Sequence, residues 1–248
     1  FEGMKMMKGK KLLVLLVLAA SSASVIAAEL DVELGADIFD KYVWRGQQVG
    51  NQGVIQPSAT IGTKGYSFNV WGNMPMTKND ASGQAWNFQE LDYTLDYSGT
   101  YEGFNYSAGY IYYTYPRTSD TTAQEIYGAV GMDTFLSPTL SIYKGTYGVS
   151  GFYINLAAEH SLELTETLSL DLASSLGWGD NQYNKSYFSG APAGLNDLVL
   201  SAALPVDVGG VTLVPSLSYV TLVNNKVRQG HTPKSDNWII GIGTTFEF

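Results

Sequence analysis

For most of its length the chain reads apolar, polar, apolar, polar. Leu168, Leu170, Leu172, Leu176 and Trp178 alternate with Ser169, Asp171, Ala173, Ser175 and Gly177. The same rhythm runs through Leu30, Val32, Leu34, Ala36 and Ile38 against Asp31, Glu33, Gly35 and Asp37, and through Leu91, Tyr93, Leu95 and Tyr97 against Glu90, Asp92, Thr94 and Asp96. A period of two places successive side chains on opposite faces of a β-strand. Helical spacing holds over no useful window, so the fold class is all-β.

Twelve segments carry this texture: 30–45, 52–63, 66–76, 86–98, 103–115, 124–133, 138–145, 150–161, 167–178, 195–204, 211–222 and 236–248. Most run to about ten residues, against about five or six in ordinary globular strands and about 9–11 in strands that cross a membrane. Links after even-numbered segments are short (Thr63-Lys64-Gly65, Ser98 to Gly103, Leu162 to Glu166), whereas several after odd-numbered ones are long and polar (Pro75 to Ala85, Gly179 to Gly194, Val223 to Ser235). Those after the first and seventh segments are short. Short turns on one rim and long loops on the other is the asymmetry of an outer-membrane barrel, in which an even strand number brings both ends to one side. Closure follows from solvation. In lipid every backbone N–H and C=O needs an internal partner, which among sheets only an edgeless barrel supplies. The expectation is a single transmembrane antiparallel β-barrel of 12 strands.

Composition supports this reading and excludes others. Charged residues make up 15% and hydrophobic ones 45%, while the mean hydropathy of −0.03 is too low for a bundle of membrane helices. A wall alternating apolar and small polar residues explains both. Disorder is excluded by the apolar and aromatic content, and disulfides and thiolate metal sites by the absence of Cys. Nucleic-acid binding is excluded by 14 basic against 23 acidic residues.

The beginning of the chain reads as an export signal. Lys5, Lys8, Lys10 and Lys11 precede an apolar run from Leu12 to Ala20, and a small-residue stretch ends at Ala28, where cleavage is expected. Phe1 to Gly3, ahead of Met4, read as lying upstream of the gene start. Residues 1–28 take four basic side chains and Glu2 with them, so the barrel segment 29–248 carries ten basic and 22 acidic residues, a net charge of −12. The expected location is the bacterial outer membrane.

The last segment places Trp238, Ile240, Ile242, Thr244, Phe246 and Phe248 on one face. An end on Phe248 resembles the C-terminal signal that outer-membrane proteins present to the barrel assembly machinery, making that machinery an expected partner alongside outer-membrane lipids. Tyr42, Trp44, Trp178, Trp238, Phe246 and Phe248 are expected in the aromatic belts at the membrane interfaces.

The segment Asp40-Lys41-Tyr42-Val43-Trp44-Arg45-Gly46 resembles the D-Y-V-[FW]-R-G signature of the TorF-like porin family, with a Lys added after the Asp. Phe68-Asn69-Val70-Trp71-Gly72-Asn73, Tyr110 to Pro116 and Leu136 to Tyr143 are similar to strands of the same family. The likeness covers roughly residues 30–145. It implies a channel-like outer-membrane protein and transfers no catalytic or binding residue.

The face opposite the apolar set is expected to line a channel. It comprises Asp31, Glu33, Asp37, Lys41 and Arg45 from the first segment, Glu90, Asp92 and Asp96 from the fourth, and Glu159 and Asp171. Lys41 and Arg45 are expected to brace against the acidic ladder of the fourth segment. Tyr113, Tyr115 and Tyr127 read as lumenal packing, with a stacking surface for a sugar or nucleoside as the alternative. Charged rings set ion selectivity, and this set is mostly acidic. The reading is a porin-like passive channel for small hydrophilic solutes, with a mild preference for cations or neutral solutes. The alternatives are a non-conducting surface barrel whose loops bind a partner, and an outer-membrane lipid hydrolase.

The chain is expected not to be an enzyme and to hold no cofactor. His160 and Ser161 are adjacent on a strand and point to opposite faces, so a hydrolase would need a serine from a neighbouring strand within reach of His160. His231 lies in a polar loop. Asn79-Asp80 and Asp180-Asn181 lack diagnostic Ca²⁺-ligand spacing, and no metal site is expected.

Overall fold

A computed structural model of the chain describes residues 30–78, 85–116, 122–230 and 234–248. The export signal, Asn79-Asp80 and His231 lie outside them. Twelve strands of nine to fourteen residues form the wall: β1 (Asp31–Phe39), β4 (Val54–Thr63), β5 (Tyr66–Pro75), β6 (Glu90–Tyr101), β7 (Phe104–Thr114), β8 (Ala123–Met132), β9 (Thr139–Tyr147), β10 (Phe152–Thr165), β11 (Leu168–Gly179), β12 (Gly194–Ala203), β14 (Thr212–Leu222) and β15 (Asp236–Glu247). Each pairs antiparallel with two neighbours. The ends meet where β1 pairs β15, from Glu33 opposite Glu247 to Phe39 opposite Gly241. The β12–β14 pairing, from Asp197 opposite Leu222 to Ala203 opposite Ser216, completes the circle. Short β13 (Val206–Asp207) continues the β12 edge along β14 beyond Leu204-Pro205. The barrel is closed and no wall strand is left with a free edge along its whole length.

The alternation seen in the sequence sorts the two faces. Leu95, Ile142, Leu156, Leu200, Leu217 and Ile240 are all more than a third exposed although large and apolar. They belong on the lipid side, where about 25 cal/mol per Å² of apolar surface is gained on leaving water. Neither helix, α1 (Asn181–Tyr187) nor α2 (Asn225–Gly230), is long or apolar enough to cross a membrane; the strands cross.

The rim that holds the ends of β1 and β15 carries tight turns. Lys64-Gly65 and Glu102-Gly103 both have two successive positive φ angles (51° and 86°, 47° and 82°), the type I′ geometry that suits the twist of a hairpin. The opposite rim carries the long links, including residues 180–193 with α1 and 223–230 with α2. The connection after the first strand is long too, which corrects the sequence-based boundary. β1 stops at Phe39 rather than residue 45. Residues 40–53 instead form an additional hairpin, β2 (Tyr42–Trp44) and β3 (Gln47–Gly50), which pairs only with itself.

Candidate functional site

The extra hairpin folds into the mouth of the barrel at the long-loop rim. Its tip, Arg45-Gly46, has φ angles of 45° and 81°. Gly46 is demanded by space as well as by φ, since a Cβ there would overlap the Leu222 side chain and come within 2.7 Å of Asp197 Cβ.

Arg45 fills a chamber built by five elements. Its guanidinium makes a two-pronged ion pair with Glu125 of β8, Nη1 to Oε1 at 2.9 Å and Nη2 to Oε2 at 2.8 Å. The Glu125 side chain is 2% exposed and that of Arg45 10%. The guanidinium carbon lies 4.5 Å from the ring centre of Trp44, 4.3 Å from Tyr143 of β9 and 4.4 Å from Tyr153 of β10, with Tyr183 of α1 at 5.9 Å. This planar cation is thus held edge-on by a carboxylate fork and faced by aromatic quadrupoles. The Tyr113 hydroxyl also donates to Glu125 Oε2, at 2.9 Å.

A second buried carboxylate sits alongside. Asp197 is 1% exposed and accepts from the Tyr153 hydroxyl at 3.1 Å to each oxygen. A register shift between Leu176 and Trp178 opposite β12 lets Asn196 and Asp197, neighbours in sequence, both be buried. The Asn196 amide donates to Asn184 Oδ1 of α1 at 2.8 Å, and the Asn184 amide to the Pro192 carbonyl at 2.7 Å. Asp180 caps α1 by accepting from Tyr183 N at 2.8 Å. Tyr153, Tyr183, Phe188, Ala191, Leu222 and Val227 pack together as the apolar floor of this plug. Burial pushes the Tyr183 and Tyr187 hydroxyls above their usual range, so both stay neutral.

The remaining sequence-based candidates are divided by the structure. Asp31, Glu33 and Asp37 of β1, Glu90, Asp92 and Asp96 of β6, Glu159 of β10 and Asp171 of β11 all lie on the inner face. Asp96 accepts from the Tyr127 hydroxyl. Asp171 accepts from Ser161 at 2.6 Å and Ser169 at 3.2 Å. Asp92 Oδ1 is buried with no hydrogen-bond partner among the described residues. Small residues, among them Gly35, Ser58, Gly109, Ala157, Ser175, Gly243 and Ser216, fill out the inner face below the chamber.

Lys41 and Arg45 are not strand residues, and neither braces the β6 ladder. Lys41 pairs with its neighbour Asp40 at 3.0 Å and donates to the Trp238 carbonyl, while Arg45 turns to Glu125. Tyr42 and Trp44, expected in a lipid-facing belt, are also corrected. Tyr42 is 8% exposed and packs on Trp71 at 5.8 Å. Trp44 lies between Tyr187 at 5.3 Å and Tyr113 at 6.3 Å. Because the hairpin carries them inward, their alternation points into the mouth rather than into lipid. Trp178, Trp238, Phe246 and Phe248 stand on the outer face of β11 and β15, Trp238 against Tyr219 at 4.9 Å. Tyr113 and Tyr127 hold carboxylates on the inner face. His160 packs against Phe135 at 4.1 Å and pairs across the ladder with Leu172, with neither of these neighbours a serine.

Glu125, Asp197, Tyr143, Tyr153 and Tyr183 were not singled out by sequence. The one available signal was Gly46 directly after an Arg inside an aromatic run, which marks a reversal and not a continuing strand.

No protein-family model matches the chain, and no curated protein sequence matches it. Solved structures do. The NanC porin superposes with a TM-score of 0.52 at 12% identity, covering 88% of this chain and 98% of its own. An outer membrane channel from Pseudomonas putida F1 gives 0.52 at 11% identity over 89% and 96%. LpxR from Salmonella typhimurium gives 0.54 at 10% identity over 86% and 99%. At such identities the likeness is one of fold. Together with the edgeless wall and its apolar exterior, it makes this chain a closed 12-stranded β-barrel of the bacterial outer membrane.

Proposed function

We propose that the barrel is a passive channel for small hydrophilic solutes, favouring cations and neutral molecules over anions, with its flow restricted at the long-loop rim by the β2–β3 hairpin. The supporting observation is the sign of the inner face. Among the described residues, Asp31, Glu33, Asp37, Asp96, Glu159 and Asp171 line it below the chamber, and no Lys or Arg of a wall strand shares it; Lys144, the basic wall residue, lies outside, over the Phe152 ring at 4.2 Å. Fixed charge of one sign in a low-dielectric tube concentrates the opposite counter-ion. The NanC porin and the Pseudomonas putida channel, named as a porin and a channel, share the fold and make conduction a natural use of it. The resemblance of the Tyr-Val-Trp-Arg-Gly segment to the TorF-like porins supports the same reading.

One observation favours a non-conducting surface barrel instead: the loop-side mouth is filled by the hairpin, α1 and their apolar floor. Reversal potentials in planar bilayers under a tenfold KCl gradient decide between them. A potential of the cation-selective sign supports the channel. Absence of any conductance from correctly folded barrel overturns it in favour of the second reading, and an anion-selective sign overturns the charge argument.

A further inference from the structure

The Arg45 chamber has the parts of a receptor for an organic cation. Two aromatic faces of the wall, Tyr143 and Tyr153, lie within 4.5 Å of the guanidinium carbon, with Trp44 of the hairpin as a third, and the Glu125 fork meets two of its nitrogens at 2.9 and 2.8 Å. A fork of this kind matches a planar guanidinium and not a compact ammonium. Further carboxyl groups lie beside it: Asp197 is buried and accepts from the Tyr153 hydroxyl, and Asp92 Oδ1 is buried with no hydrogen-bond partner among the described residues.

The group that occupies the chamber is held there at a cost to its own backbone. Arg45 has a φ of 45°, where Asn or Gly is at ease and a long side chain is strained; strain of this kind persists where the surroundings impose it and collects at functional sites. The hairpin that delivers it shares no ladder with the wall. It leaves the wall where β1 and β4 end, at the Phe39–Val54 pair, and Gln47 Nε2 and Gln52 Nε2 are buried with no hydrogen-bond partner among the described residues. Backbone bonds tie its two ends to the wall, Asp40 N–H to the Ile240 carbonyl at 3.0 Å and Met76 N–H to the Gly53 carbonyl at 2.8 Å; beyond them side-chain contacts hold it, with the Arg45 guanidinium at their centre.

We propose that the chamber is a binding site for guanidinium-bearing solutes, that Arg45 is its built-in occupant, and that a solute of this class releases the hairpin by taking the place of Arg45. The site deepens the channel reading, since the released hairpin would withdraw its share of the plug from the mouth; binding itself does not depend on conduction.

The test uses the full barrel refolded in detergent, with methylguanidinium as probe and methylammonium as control. In Arg45→Gly the turn keeps a residue suited to its φ and the chamber loses its occupant. Calorimetry should show methylguanidinium bound at least tenfold more tightly by this variant than by wild type, and at least tenfold more tightly than methylammonium. Adding Glu125→Gln should abolish the difference. Equal binding of the two cations, or none by a variant that retains the heat-modifiable migration of a folded barrel, overturns the proposal. Arg45→Asn serves the same purpose should the glycine variant not fold.

Wild type supplies a second readout. Chymotrypsin should cut at Tyr42 or Trp44 in the presence of methylguanidinium and not of equal methylammonium; identical protection in both overturns displacement. Binding without conductance in any variant sinks the channel and leaves the receptor. Conductance of Arg45→Gly without binding does the reverse.

Discussion

Arg45 and Gly46 form a two-residue turn in which the first position would be served better by Asn or Gly. A non-glycine residue in the left-handed region gives up roughly 1–2 kcal/mol. The ion pair with Glu125 and the three ring faces offset that, since truncating one partner of a buried pair costs about 3–5 kcal/mol by leaving the other charge unpaired. Glu125→Gln in the wild-type chain should therefore undock the hairpin more than Tyr113→Phe does, because the latter removes one hydroxyl bond worth about 1 kcal/mol. The fluorescence of Trp44, read as the difference from a Trp44→Phe variant, should shift to the red in Glu125→Gln; an unchanged emission maximum would count against Arg45 as the latch. Gly46→Ala should act in the same direction, since the added methyl meets both Leu222 and Asp197.

At the scale of elements, the hairpin is separable from the wall. The β1–β4 ladder is complete from Asp31 opposite Gly62 to Phe39 opposite Val54, and residues 40–53 contribute nothing to it. Replacing Lys41 to Gln52 by two glycines should leave a heat-modifiable barrel of unchanged strand content by circular dichroism while raising single-channel conductance several-fold. Loss of the folded form would show instead that the hairpin templates the wall. This element is also where the sequence was hardest to read. Strand boundaries elsewhere are legible because lipid on one side and water on the other enforce strict alternation, as in β11 and β15. Through Ile38, Tyr42 and Trp44 the alternation carries on, although the chain has turned inward. Aromatic rings look the same in sequence whether they meet lipid headgroups or a guanidinium. Its acidic partner, Glu125, was illegible for another reason: it is set 80 residues away from Arg45, and only barrel closure brings the two together.

For the whole molecule, the governing contrast is between an apolar exterior and an acidic interior. A charge placed mid-wall on the outside, such as Leu156→Arg, should lower stability to urea in lipid vesicles by about 2–4 kcal/mol. The inward neighbour Ala157, substituted in the same way, should cost less and weaken cation preference. Equal losses at the two positions would contradict the assignment of faces. Asp37→Asn combined with Asp96→Asn should move the reversal potential toward zero without altering stability by more than about 1 kcal/mol, since Asp37 faces Gly243 and Asp96 keeps its Tyr127 hydroxyl bond as an amide.

Apart from Trp44 beside it, the partners of Arg45 lie on β8, β9, β10 and α1, all far downstream of the hairpin in the chain. Stopper and seat are therefore distant in sequence and meet only across a wall that holds those strands. Any assembly intermediate that lacks them leaves the stopper unseated and the mouth unsealed.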